Sequence, residues 1–437
     1  MPTDPSDISP ASQALTIDEA ACSGCVVCLK ACPSKAIRVR RGLAQIIPEL
    51  CVGCGVCYRV CPRGAVKPQT SPLREIERYP LSVAVPNPAL FAQFGYDVSP
   101  NQVLLGLKAI GFQEVVDTAW LAEMTAGAME EYLLAHPELR PGISPSCPAV
   151  VRLITKRFPG LVGNVIPILP PWLMAAKGFK TRLADRRGWD PSQVGVFIIS
   201  PGTSRIKALE TSLSEEHTYV DGIISFAEVY GPLLKAIKNL DPDDMLQKAS
   251  GAGLAWATTG GQARSVDVDY TLAVSGFDEV VNILEMLEAG RLRELRFVEA
   301  QICSKGCVGG PLAVENRYRA ASVTQRLIRR YGPHSRVNRA KIREMMGEGM
   351  FDWEIELRPH PLAPLAPEPR EAIRRMRAIK ALTERLPLSE CGICGSPDCE
   401  TFAEDVVRGW AQENDCPMLM AQKGHGGPAR PAGDTLG

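Results

Sequence analysis

Two textures of apolar and polar residues divide this chain. From about Tyr79 onward, short apolar runs such as "LSVAVP", "QVGVFIIS", "VDGIIS" and "RFVEAQIC" have the length and branched content of buried strands. Between them, "NQVLLGLKAIGF", "LAEMTAGAMEEYLLA", "FAEVYGPLLKAIKNL" and "FDEVVNILEMLEAG" repeat their apolar positions with the helical period. Strand and helix alternate, which predicts an α/β arrangement of parallel sheets covered by helices. One junction, "VFIISPGTSRIKALE", runs from a strand through a tight turn into a helix, with Gly202 at the tip of the turn. Junctions of this kind are where α/β proteins build sites.

The flanks read differently. Residues 14–70 carry two copies of a cysteine-dense motif, too poor in apolar positions to fold on a core alone, so this module is expected to depend on bound metal. A proline-rich stretch, "RPHPLAPLAPEPRE", marks a linker over 358–370, and a helix with a last group of cysteines fills 371–422. The closing "GHGGPARPAGDTLG" cannot pack a core, and 423–437 is expected to be disordered.

At 437 residues the chain has room for two or three domains. Lys+Arg and Asp+Glu balance at 49 each, so no net charge draws it to nucleic acid or to an anionic membrane. The start, "MPTDPSDISPASQ", lacks the basic and apolar segments of a secretion signal, and no run of about 18 apolar residues occurs. A cytoplasmic protein without a membrane span is therefore expected. In that setting fifteen cysteines point to metal or redox chemistry rather than to disulfides. Eight fall between positions 22 and 61, four between 391 and 416, and Cys147, Cys303 and Cys307 stand in the long middle.

The first group reads Cys22-x2-Cys25-x2-Cys28-x3-Cys32-Pro33 and then Cys51-x2-Cys54-x2-Cys57-x3-Cys61-Pro62. This spacing resembles that of two-cluster bacterial ferredoxins, in which the fourth cysteine of each run serves the other cluster. It implies one [4Fe–4S] cluster on Cys22, Cys25, Cys28 and Cys61, and a second on Cys51, Cys54, Cys57 and Cys32, in an α+β module over 14–70. Gly24, Gly53 and Gly55 would relieve crowding where backbone approaches the clusters. Zinc also accepts thiolates, but the interlocked order with Cys-Pro at both ends favours the clusters.

The last group, Cys391-x2-Cys394-x4-Cys399 with Cys416-Pro417 after a helical stretch, resembles a four-cysteine [4Fe–4S] domain of electron-transfer and one-carbon enzymes. A zinc knuckle is the alternative; the x4 spacer and the long fourth interval favour the cluster.

In the middle, "ISPSCPAVVRLITKRFPGLVGNVIPILPP", "FIISPGTSRIKALE" and "CSKGCVGGPLAVENRY" resemble the three signature loops of [FeFe]-hydrogenases, with "VAVPNPAL", "VVDTAWLAEM" and "MEEY" in matching order between about Leu81 and Arg330. "CPAVVRLI" and "GGPLAVEN" are similar to the divergent, sensory branch. The resemblance implies a two-lobed α/β domain over 79–357. It also implies that Cys147, Cys303 and Cys307 ligate the cubane of an H-cluster, with Cys307 bridging to a diiron subsite. Taken alone, Cys147 would read as a small core residue.

Departures from the family are as informative. Where the second loop should carry a cysteine after proline, this chain has Ser200-Pro201-Gly202, so three protein thiolates remain. Ser200, Thr203 or Ser204 is each an oxygen that could take the missing place, as is water. Arg205 stands for the family's lysine, keeping the charge in a larger planar head. Ser146 stands for the proton-relaying cysteine; Glu131 matches one relay carboxylate, while Leu134 and Ile166 replace the other carboxylate and a hydroxyl. A proton cannot hop along Leu and Ile, so the family's route is cut.

Clusters on both sides of the centre imply an electron wire. The expected function is a hydrogenase-like iron–sulfur oxidoreductase that senses hydrogen or redox state, or turns over slowly, coupled to a ferredoxin-like redox protein and, for sensing, to a separate signalling partner. The alternative is an inactive hydrogenase-like carrier of electrons or cluster-assembly protein. "GAGLAWATTGGQAR" has no phosphate-loop or dinucleotide pattern and reads as a structural turn, and "REAIRRMRAIKALTERL" as a helix with a solvated basic face.

Overall fold

The structure, a computed structural model, describes residues 14–212, 219–240, 244–353, 356–360 and 364–424. The segment 423–437, expected to be disordered, lies almost wholly outside the described residues. The chain divides into two compact units, the first built from the described residues of Met1–Thr16, Val52–Gly55 and Lys67–Pro361, and the second from those of Ile17–Cys51, Val56–Val66 and Leu362–Gly437. The three modules expected from sequence thus fold as two units: the last cysteine group packs with most of the first, and the loop Val52–Gly55 belongs with the centre.

Two parallel sheets organise the first unit. Four strands lie in the order Glu114–Val115, Leu81–Pro86, Val194–Ser200 and Gly222–Ser225, and three in the order Thr271–Ser275, Phe297–Gln301 and Gly142–Ile143. Every residue of Leu81–Pro86, Val194–Ser200 and Phe297–Gln301 is buried, as expected for parallel strands covered on both faces. Register pairs Leu81 with Val194 and Pro86 with Ile199 in one sheet, and Thr271 with Phe297 in the other.

The carboxyl ends of these strands carry the signature loops. Leu81–Pro86 runs into Asn87, whose side chain caps the short helix Pro88–Ala92 by accepting from Ala89 N. Val194–Ser200 runs into Pro201 and Gly202; Phe297–Gln301 stops just before Cys303; Gly142–Ile143 leads through Ser146 to Cys147, the N-cap of the helix Pro148–Arg157, with Pro148 in the first-turn position where its missing N–H costs nothing. Crevices outside the carboxyl ends of parallel strands are the usual place for a ligand in such sheets.

Within the second unit, the hairpin Ile37–Arg40 and Leu43–Ile46 and the short helices Val27–Ala31 and Val56–Val60 form the ferredoxin-type part. The helices Pro369–Arg385 and Cys399–Arg408 close over Leu382, Leu386, Phe402, Ala403 and Leu419, with Cys399 and Cys416 in the same core. Among the described residues, no helix is long and apolar enough to cross a membrane.

Candidate functional site

Cys147, Cys303 and Cys307 line one cavity in the first unit, at the carboxyl ends of both sheets. Its enclosed space is about 70 Å3, several times the roughly 10–15 Å3 that one water needs. Cys303 and Cys307 are brought to the same wall by a tight turn in which Lys305 and Gly306 both adopt left-handed backbone, φ 70° and 86°. Gly306 N donates to Cys303 O at 2.9 Å, and Gly310 N to Cys307 O at 3.0 Å. A side chain on Gly310 would collide with the carbonyl of Pro201, so glycine here lets the third loop close on the second.

The thiols feel one another and the cation beside them. Burial pushes the Cys147 thiol up; hydrogen bonds to the backbone of Ile302 and Val150 and the charge of Arg205 pull it back, while Cys307 adds to the rise. Asn87 Nδ2 lies 3.8 Å from Cys307 Sγ, a long hydrogen bond to sulfur.

The second loop is where the residues narrow the choices left open by sequence. Ser200 Oγ donates to Gly202 O at 2.8 Å and accepts from Gly202 N and from Arg205 Nη1, both at 3.2 Å, so its hydrogen-bonding capacity is committed to the turn. Thr203 Oγ1 is turned away, donating to Gly53 O at 2.7 Å. Of the three hydroxyls, Ser204 is the one in the cavity wall, next to Gly202. A Cβ on Gly202 would find only Pro311 Cδ within 4 Å, at 3.8 Å, so the position has space for the cysteine it lacks.

Among the described residues, four buried polar atoms without a hydrogen-bond partner belong to residues of this cavity: Thr118 Oγ1, Trp172 Nε1, Arg205 Nε and Trp256 Nε1. The Arg205 guanidinium also sits over the Trp172 ring, 5.8 Å from its centroid. A native interior leaves few such groups unsatisfied, and all four can donate. They suit a bound group that presents acceptor atoms.

Ser146 lines the cavity, and Ser144 Oγ lies 3.1 Å from Ser146 Oγ and 2.5 Å from Gln262 Oε1. Glu131 does not reach the site: it accepts from Arg343 Nη1 at 2.7 Å on a partly exposed helix face, and Leu134 beyond it is 62% exposed. The carboxylate that the resemblance places in a proton relay is thus engaged by Arg343, away from the residues that line the cavity. Glu130 is the buried one, bound by Arg339 and by Asp267 N. The segment "GAGLAWATTGGQAR" is likewise more than a turn: Trp256 and Gln262 from it line the cavity. Glu299, which no motif marked, is fully buried and accepts from Gly260 N at 3.0 Å and Ala263 N at 2.9 Å, at the start of the helix Gly261–Ser265. Burial raises its carboxyl to about 7 despite these donors.

In the second unit, burial pushes Cys28 up to about 11, and Cys25, Cys61 and Cys22 each add to the rise, so these four are neighbours. Cys32 Sγ accepts from Ala36 N and Cys61 Sγ from Ala65 N, both at 3.2 Å, the same local bond in each half of the repeat. Cys51 and Cys57 lie in the second unit and Cys54 in the first, on the Val52–Gly55 loop. At the other end of the chain, burial pushes Cys394 up to about 11 with Cys416 and Cys391 contributing, and the same two neighbours act on Cys399. Among the described residues, no three His, Cys, Asp or Glu side chains close on the position of a single ion.

The family of iron only hydrogenase large subunit, C-terminal domain, matches residues 81–273; a 4Fe-4S dicluster domain matches 15–67; and an Fe-S cluster domain matches 386–418. The chain is thus iron-only-hydrogenase-like, an iron–sulfur protein with a ferredoxin-type domain ahead of its hydrogenase-like centre. Similar solved structures include a variant of the [FeFe]-hydrogenase HydA1 from Chlamydomonas reinhardtii, 18% identical over 59% of this chain and 86% of that one, with a TM-score of 0.46. An apo form of a variant of the same protein is 17% identical over 63% and 91%, with a TM-score of 0.48. No curated protein matches the chain.

Proposed function

We propose that this protein is an electron-transfer protein of the [FeFe]-hydrogenase type that senses hydrogen or redox state, or converts hydrogen slowly. The observation that carries this reading is that Thr118, Trp172, Arg205 and Trp256, each with a buried donor that has no partner among the described residues, line the same cavity as the three cysteines. Cyanide and carbonyl ligands of a diiron subsite would supply acceptor atoms for such donors. Such a centre supplies the exchange of H2 with two protons and two electrons. Cys147, Cys303 and Cys307 would hold it, with Arg205 offering charge and an N–H to its ligands.

Low turnover is the part supported by the polar route. Ile166 is fully buried, Leu134 faces solvent, and Glu131 is engaged by Arg343. Behind Ser146, hydrogen bonds lead to Ser144 and Gln262 instead. Slow proton delivery suits a sensor, with electrons passing through two clusters of the ferredoxin-type module and one of the C-terminal module to a ferredoxin-like partner, and a signal to a separate protein.

A second reading, an electron carrier or assembly protein without diiron, is favoured by one feature, the missing thiolate at Gly202. Co-expression with the dedicated maturases distinguishes the two. Infrared bands of iron-bound CO and CN are expected from the purified protein; their absence, with every cubane present, would establish the carrier.

A further inference from the structure

Within the second unit, buried ion pairs join the ferredoxin hairpin to the C-terminal cysteine group. Arg38 forms a bidentate pair with Asp405, Nε to Oδ2 at 2.5 Å and Nη2 to Oδ1 at 2.9 Å, with side chains only 7% and 1% exposed. Arg40 Nη2 donates to the same Asp405 Oδ2 at 3.0 Å, and Ser396 Oγ donates to it at 2.6 Å. Two cations and a hydroxyl therefore satisfy one buried carboxylate, the condition under which a buried charge is tolerated.

Around this clasp, the loops bearing the cysteines are tied to each other by their backbones. Arg40 Nη1 donates to the carbonyl of Cys394 at 3.0 Å, and Val39 N to Gly395 O at 2.9 Å. Gly395 has φ 77°, and a Cβ there would strike the carbonyl of Val39. Lys30, between Cys28 and Cys32, donates to Glu390 O at 2.6 Å and to Pro397 O at 2.8 Å, on either side of Cys391 and Cys394. A Cβ on Gly392 would lie 3.2 Å from Lys30 Cδ and 3.3 Å from Leu29 Cδ2, so a larger residue after Cys391 would crowd the residues after Cys28.

We infer that the C-terminal module is a fixed relay rather than a tethered appendage, with its four-cysteine site clamped beside the Cys22, Cys25, Cys28 and Cys61 site so that the two bound clusters form an electronically coupled pair. This rests on reading both sites as [4Fe–4S] sites and is independent of what the central cavity holds. An electron passed between them takes the donor cluster from the 1+ to the 2+ level and the acceptor from 2+ to 1+; no bond or proton moves. The Asp405 clasp and the Lys30 bonds fix the approach, and the C-terminal cluster becomes the next station beyond the ferredoxin pair.

The test uses the full chain, reconstituted anaerobically and reduced with dithionite, and its electron paramagnetic resonance spectrum. The reference is a Cys391→Ala/Cys394→Ala variant lacking the C-terminal cluster. The wild-type minus variant difference is expected to show the broadened, fast-relaxing lines of interacting spins, with the remaining clusters' lines altered too. A difference spectrum of one isolated, slowly relaxing cluster would overturn the proposal. Asp405→Asn is expected to convert the coupled spectrum toward the isolated form at unchanged iron content, and Lys30→Met to do so more weakly; coupling unaffected by both would refute the clasp.

Discussion

Arg205 Nη1 reaches Ser200 Oγ at 3.2 Å, bracing from within the turn whose tip is Gly202. The hydroxyl that receives it also holds both backbone groups of Gly202, so the turn is rigid without a metal ligand at its tip.

A thiol should therefore be accepted there. Gly202→Cys is expected to leave thermal stability nearly unchanged, because its Cβ meets only Pro311 Cδ, at 3.8 Å. With a fourth thiolate, iron of the central cluster should leave more slowly under a chelator or air. The measurement is iron release after anaerobic reconstitution; equal rates for the two proteins would refute an open corner.

In protein reconstituted anaerobically without the maturases, Cys303→Ala should lower bound iron by one [4Fe–4S] cluster, about four atoms per chain, leaving the flanking sites loaded. Iron and sulfide assays read this directly. An unchanged content would make the centre a plain structural domain.

The sheet carrying the second loop depends on a buried ion pair. Lys180 Nζ contacts Asp221 Oδ2 at 2.6 Å and Val194 O at 2.7 Å, and Asp221 Oδ2 accepts from Val196 N at 2.7 Å. Asp221→Asn leaves the ammonium buried and unpaired, for which a loss of roughly 3–5 kcal/mol is expected in chemical denaturation.

Glu299 gives stability a pH dependence. Its carboxyl titrates near 4.5 when unfolded and at about 7 in place, so between these values the folded state binds more protons and stability falls as pH rises. The penalty is complete above about pH 7 and absent well below 4.5, on the order of 3 kcal/mol in all. Glu299→Gln should flatten the difference between melting temperatures taken near pH 5 and near pH 8. An identical difference in both proteins would exclude Glu299 as its source.

Much of this was legible in the chain. Period and branched content located the strand Leu81–Pro86 because both faces of a parallel strand are buried, leaving a nearly unbroken apolar run, whereas Phe297–Gln301 interrupts its run with the buried Glu299 and Gln301. Short x2 spacers put Cys22, Cys25 and Cys28 together locally, while the joining of Cys61 to them and of Cys416 to Cys391 came from the resemblance to known cluster domains. What spacing does not encode is long-range docking. The partnership of Arg38 with Asp405 spans 367 positions and uses residues indistinguishable in sequence from surface charges. Trp256 and Gln262 were hidden in a glycine-rich segment whose close packing needs glycine: a Cβ on Gly261 would meet the carbonyl of Ala255. Glu130 and Glu131 differ only in which way the helix turns them.

The central claim is that the unpartnered donors of the cavity serve acceptor ligands on iron. Its most direct measurement compares infrared spectra of the wild type and Trp172→Phe, both co-expressed with the maturases. CO and CN bands are predicted in the wild type, with at least one CN band displaced when the Trp172 N–H is removed. Absence of bands in a wild-type protein that retains its central iron would contradict the account.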